Sequence, residues 1–202
     1  MDDNDIKFYR KYIDTVNNTY KKLDLKILKN ISLLIFNKIK NNNNIFVCGN
    51  GGSASIANHF LCDFNKGIKI SSKNVLLPKI VSLSTSIELI TAIANDIDFK
   101  KIFTNQFENY ARSDDLLLVF SCSGESKNIK DIEKYAFKKK IKVVKFYGFA
   151  NKFKPKKNEI LLNLNVNNYG VSEDIFQGLM HMISQNIRSN FIKKFSFDKV
   201  KL

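Results

Sequence analysis

The chain has 202 residues, 44% of them hydrophobic, and 33 Lys plus Arg stand against 19 Asp plus Glu for a formal charge of +14. That length and composition suit one folded domain with a real core and exclude a disordered chain. No apolar run approaches the roughly 18 residues of a membrane span, and the acidic start at residues 1–5 lacks the pattern of a secretory signal. Cys48, Cys62 and Cys122 are too scattered for a disulfide framework or a Cys-based zinc site, so a cytoplasmic protein is expected. The excess of Lys is spread along the chain, with small clusters at Lys138–Lys140 and at Lys152, Lys154, Lys156 and Lys157. No nucleic-acid motif accompanies it. The expectation is a solvated surface that favours anionic substrates, with neither nucleic acid nor membrane as partner.

From residue 6 to residue 40 apolar side chains recur at helical spacing, as in Tyr20, Leu23, Leu28, Ile31, Leu34, Ile35 and Ile39, which predicts two helices broken near Asp24. The Asn run at 41–44 turns the chain into a strand at 45–48. Gly49-Asn50-Gly51-Gly52-Ser53 then reads as a tight loop opening a helix that carries His59 and Asp63, with Ser53 as its N-cap. His59 and Asp63, four apart, share a face of that helix. A helix N-terminus after such a loop suits a phosphate or a sugar hydroxyl. The sequence lacks the G-x-x-x-x-G-K-[ST] loop, and the dinucleotide fingerprint lacks its acidic partner, because the stretch about 20 residues on is Lys69 to Lys73. A glycine turn without any ligand remains the alternative at this point.

Residues 67–78 read as a polar connection, 79–83 as a second strand, and 87–110 as helix interrupted near Asn95-Asp96. The apolar run 115–120 has the character of a strand buried on both faces. It delivers a second polar loop, Ser121-Cys122-Ser123-Gly124-Glu125-Ser126, in front of a helix at 128–139. Strands follow at 141–147 and 159–164. This alternation predicts an α/β fold with a mainly parallel sheet, and both polar loops leave strands at the carboxyl edge, where ligands gather. A last helix is expected from Ser172, as N-cap, to about residue 191, with Asp174, Gln177 and His181 near one face and Glu173 about 80° from His181. A capped helix with one buried histidine is the plainer reading of that segment.

Taken together, the Gly49–Ser53 loop with His59, the segment Thr91-Ala92-Ile93-Ala94-Asn95-Asp96, the Ser121–Ser126 loop and the helix with His181 resemble the phosphoheptose isomerases of the SIS (sugar isomerase) superfamily. The resemblance covers nearly the whole chain in order. It implies a three-layer α/β/α sandwich with a five-stranded parallel sheet, in a single SIS domain over 1–202. Within it, residues 1–43 form N-terminal helices used in packing and oligomerisation, and 44–202 the core and C-terminal helix. It also implies a cytoplasmic homotetramer that converts sedoheptulose 7-phosphate into D-glycero-D-manno-heptose 7-phosphate for surface-polysaccharide synthesis, with one zinc per subunit.

Carried over by position, Asn50, Gly51, Gly52, Ser53, Asn95 and Asp96 would contact substrate. Ser121, Cys122, Ser123 and Ser126 would hold its phosphate, Cys122 standing where the family usually has Thr. His59, Asp63, Glu173 and His181 would form the metal site. The family's Glu four residues after the first histidine is Asp63 here, one methylene shorter, and its Gln eight residues before the last histidine is Glu173. Gln177 is a substitute ligand if Glu173 points away. Enediol chemistry would use Asp63 or Glu173 as base and His181 on the oxygens. The alternative is a non-catalytic SIS module that senses a sugar phosphate or associates with a replication initiator.

Overall fold

The computed structural model describes residues 3–150, 152–193 and 195–199. Two helices lead, α1 (Asp3–Lys21) and α2 (Leu25–Lys40). They break at Asp24 because its carboxylate accepts from the Lys26 and Ile27 N–H groups, capping α2. The core then runs β1 (Asn44–Cys48), α3 (Gly52–Cys62), a π-helical segment (Asp63–Ile68), the single turn α4 (Lys69–Ser71) and β2 (Lys79–Ser82). Next come α5 (Ile87–Ile93), a second π-helical segment (Ala94–Asp98), a 3₁₀ turn (Phe99–Lys101) and α6 (Thr104–Tyr110). β3 (Leu116–Ser121), α7 (Lys127–Lys138), β4 (Lys142–Tyr147), β5 (Glu159–Asn163) and α8 (Tyr169–Ser189) complete the core, and a 3₁₀ turn (Phe197–Lys199) follows.

The five strands are all parallel in the order β2-β1-β3-β4-β5. The side chains of β1 and β3 alternate between two cores, as the period of two requires. Ile45, Val47, Leu116, Leu118 and Phe120 face α2, α3 and α8. Phe46, Cys48, Leu117 and Val119 face α6 and α7. β3 is buried along its whole length, which explains its uninterrupted apolar sequence. The expected three-layer α/β/α sandwich is therefore the observed one.

Three local expectations need correction. α3 begins at Gly52 with Gly51 as N-cap, so Ser53 lies inside the helix, buried. α8 begins at Tyr169, capped by Asn168, whose side chain accepts from the Val171 N–H. Ser172 is buried one turn in and donates to the Asn168 carbonyl at 2.7 Å, a bond that satisfies its hydroxyl without capping the helix. The connection expected from residue 67 is helical to Ser71, since Phe64 and Ile68 are buried and carry the apolar face onward.

Candidate functional site

β1 and β3 are neighbours, and the chain leaves them toward opposite edges of the sheet, so the loops after them flank a topological switch point. In the first loop Gly51 takes a φ of +54°, a left-handed conformation that glycine tolerates without strain. Ser84, just beyond β2, fixes this loop by donating to the Gly49 carbonyl at 2.9 Å. The second loop folds on its own hydroxyls: Ser121 Oγ accepts from the Gly124 N–H at 3.0 Å, and Ser123 Oγ from the Glu125 N–H at 3.1 Å. Each hydroxyl keeps its own proton to donate. Ser126 is the N-cap of α7 and makes no side-chain cap bond.

The two loops enclose a cavity of about 80 Å³ lined by Asn50, Ser53, Ser121, Cys122, Ser123 and Ser126, with Phe120, Tyr169 and Glu173 completing it. The expected phosphate residues are thus together. Asn50 is less free than its position suggests, because its amide exchanges two hydrogen bonds with that of Asn128 at 2.9 and 2.8 Å. Asn128 and Tyr169 were not singled out from sequence. An Asn at the second position of a helix behind a Ser-rich loop is an ordinary polar residue until its partner is known. Cys122 is buried, and burial pushes its thiol up to about 11, with the Glu173 charge adding to the shift. Asn95 and Asp96 lie on the exposed second π-helical segment, bonded to each other, and do not line this cavity.

Glu173 is where the structure departs from the sequence reading. Its carboxylate lies over the start of α3, so close that a Cβ on Gly52 would come within 2.2 Å of Oε2. The Ser53 backbone N–H donates to it, yet burial outweighs that bond and holds its pKa above the usual carboxyl range. The positive end of α3 is therefore occupied by a carboxylate of this same chain. The open helix N-terminus at the cavity is that of α7.

Along the same helix pair, Asp63, His59 and His181 do come together. His59 Nε2 is 3.3 Å from Asp63 Oδ1, and His181 Nδ1 is 3.0 Å from Asp63 Oδ2. The π-helical segment begins at Asp63, so the widened turn sits under the carboxylate that bridges the two imidazoles. The place expected for Glu173 is taken by Gln177, whose Nε2 lies 3.0 Å from His59 Nδ1 and 2.9 Å from His181 Nε2. His59, Asp63 and His181 each offer a ligand atom within 4.8 Å of the others. Two imidazoles and one carboxylate in that span fit a zinc ion with an open coordination position; Glu173 is not part of the group. The contacts 53 to 173, 59 to 177 and 63 to 181 show α3 and α8 running side by side in the same direction. Glu173 and His181 are eight residues apart, about 12 Å at helical rise, so the hydroxyl-lined cavity and the imidazole cluster lie along the same helix pair.

Among known sequences, the SIS domain family model matches residues 7–148. A phosphoheptose isomerase of Campylobacter concisus is 39% identical over 115 residues, which is 57% of this chain and 59% of that protein. The chain thus spans less than two thirds of the length of this curated relative. The solved structure of a phosphoheptose isomerase from Neisseria gonorrhoeae superposes with a TM-score of 0.80 at 25% identity, covering 92% of this chain and 97% of that one. One from Francisella tularensis gives 0.82 at 23%, covering 93% and 97%. Among the described residues no helix is long and apolar enough to cross a membrane.

Proposed function

From the premise that the chain belongs to the SIS domain family, we propose that it isomerises a phosphorylated sugar between ketose and aldose, with sedoheptulose 7-phosphate as substrate and D-glycero-D-manno-heptose 7-phosphate as product. The observation that carries this reading is that the helix pair α3 and α8 bears both a residue of a hydroxyl-lined cavity and, two turns on, a carboxylate set between two imidazoles. The phosphate is bound by Ser121, Ser123 and Ser126 and by the N-terminus of α7, where N–H groups and hydroxyl protons meet a dianion. That anchors the sugar so that its carbonyl end reaches toward His181.

In the ketose-to-aldose direction Asp63 takes a proton from C1 and, through the enediol, a proton is returned to C2. His181 moves the accompanying proton between the two sugar oxygens. Glu173 lines the cavity proposed for the phosphate, which favours Asp63 as the base. The two imidazoles that grip Asp63 fix the direction of its oxygens, and orientation of this kind carries much of the rate. Zinc, held by His59, Asp63 and His181, would supply Lewis-acid polarisation of a sugar oxygen. The proposed assembly is a homotetramer, a reading supported by Phe8, Tyr9 and Ile13, which α1 leaves exposed. The pathway proposed is cytoplasmic synthesis of a surface polysaccharide.

Turnover of sedoheptulose 7-phosphate in deuterium oxide tests the reading. Deuterium should enter the product at the carbon that receives the proton. His181→Ala should lower kcat by about 10²-fold or more with substrate binding largely kept, the usual share of general acid–base catalysis. Tight binding of a sugar phosphate without any turnover would instead support the non-catalytic sensor.

A further inference from the structure

We infer that Gln177 is a positioning residue that sets which nitrogen of His59 and of His181 carries the proton, and that its side-chain amide turns over when a metal binds. The argument is an accounting of donors and acceptors. Asp63, ionised, can only accept, and it faces His59 Nε2 at 3.3 Å and His181 Nδ1 at 3.0 Å. His181 Nδ1 hydrogen-bonds to Asp63 and so carries the proton of a neutral imidazole, whereas His59 Nε2 lies near Asp63 without a hydrogen bond to it. The far nitrogen of His181, Nε2, is then a lone pair that needs a donor, and that of His59, Nδ1, faces the same Gln177 amide. One group meets both, the Gln177 amide nitrogen at 3.0 and 2.9 Å, and an NH₂ has two hydrogens to give. The His181 bond to Asp63 thus fixes the Gln177 amide with its NH₂ toward both rings, and His59, accepting at Nδ1, carries its proton on Nε2.

The consequence concerns metal binding. A metal that takes the nitrogens facing Asp63 displaces their protons, and each imidazole then carries its proton on the far nitrogen. The same two nitrogens turn from acceptors into donors. Gln177 can follow by rotating its amide half a turn, which puts Oε1 where Nε2 was, with two lone pairs for two N–H groups. A side chain that only donates or only accepts would favour one state alone. This second half rests on the metal reading of the proposed function; the assignment of the tautomers does not.

The experiment uses full-length protein labelled with ¹⁵N-histidine and freed of metal by chelation, with long-range proton–nitrogen NMR as the readout. The expected spectrum of the wild type has the proton on His59 Nε2 and on His181 Nδ1. Zinc titration then follows for the wild type, Gln177→Leu and Gln177→Glu. Leu leaves the far N–H groups of the loaded site without an acceptor and should weaken zinc about 10-fold or more. Glu accepts but cannot donate, so it should tighten zinc relative to the wild type and move protons onto His59 Nδ1 and His181 Nε2 in the metal-free protein. A merely space-filling role would have both substitutions act in the same direction, and that result overturns the inference, as does a wild type protonated on the far nitrogens. If the expected tautomers are seen and zinc does not bind, the metal reading fails while the tautomer assignment stands.

Discussion

Lys145, in the middle of β4, offers a quantitative test of how the layer beneath the second loop is held. Its Nζ lies 3.0 Å from Glu133 Oε2 and 3.0 Å from Glu159 Oε1, with the Lys145, Glu133 and Glu159 side chains only 12%, 10% and 2% exposed. Tyr147 donates its hydroxyl to Glu133 Oε1 at 2.6 Å, and the Lys156 N–H to Glu159 Oε2 at 2.9 Å. Lys145→Met keeps the length of the side chain and removes its charge, leaving two buried carboxylates near one another. Removing one partner of a buried pair costs about 3–5 kcal/mol, because the other charge stays out of water. Each kcal/mol moves Tm by about 2–4 °C in a chain of this size, so the low end of that range is about 6–12 °C at pH 7.

The sign of the pH dependence follows from Glu133. Burial already raises its pKa despite the opposing Lys145 charge, and without Lys145 it rises further. A carboxyl raised in the folded state contributes stability that is present below its unfolded pKa and lost as pH climbs through the folded value. The deficit of Lys145→Met against wild type should therefore be largest at pH 7 and shrink toward pH 5. Thermal unfolding followed by circular dichroism at both pH values measures it. Glu133→Gln added to Lys145→Met should recover part of the loss, since the amide oxygen still accepts from Tyr147. A Tm within about 2 °C of wild type at pH 7, or a deficit equal at the two pH values, would refute the reasoning.

Elemental analysis of protein purified without chelator should find near-stoichiometric zinc, and His59→Ala should lose it. Gly52→Ala pushes a methyl into the Glu173 carboxylate. It should cost about 0.3–1 kcal/mol by displacing that charge from the start of α3, visible as a lowered denaturation midpoint. Tyr12→Phe deletes the 2.7 Å bond from the hydroxyl to Asp174 that ties α1 to α8; a loss of about 0.5–1.5 kcal/mol is expected in urea unfolding. Light scattering at micromolar concentration should report an assembly larger than the 23.3 kDa chain.

Periodicity alone indicated an α/β fold with a mainly parallel sheet. Alternating apolar runs and helical patterns leave few ways to bury a sheet on both faces, and the β3 run was legible as a central strand because no position along it meets water. The break at Asp24 was legible for a similar reason: a cap is a local event between near neighbours in the chain. The Ser-rich loop and the i, i+4 pair His59 and Asp63 could be read off as well. Tertiary structure decided the partners. Glu173 and Gln177 sit one turn apart on α8, and the helical wheel allows either to meet the imidazoles. Only the placement of α8 along α3 sends Glu173 to the helix start at Gly52 and Gln177 to the histidines. The Asn50–Asn128 amide pair, 78 residues apart in sequence, and the Lys145 network depend likewise on which strands became neighbours. Local propensity fixes what a segment becomes; which polar atoms meet across elements is fixed by the packing of apolar faces that bring them together.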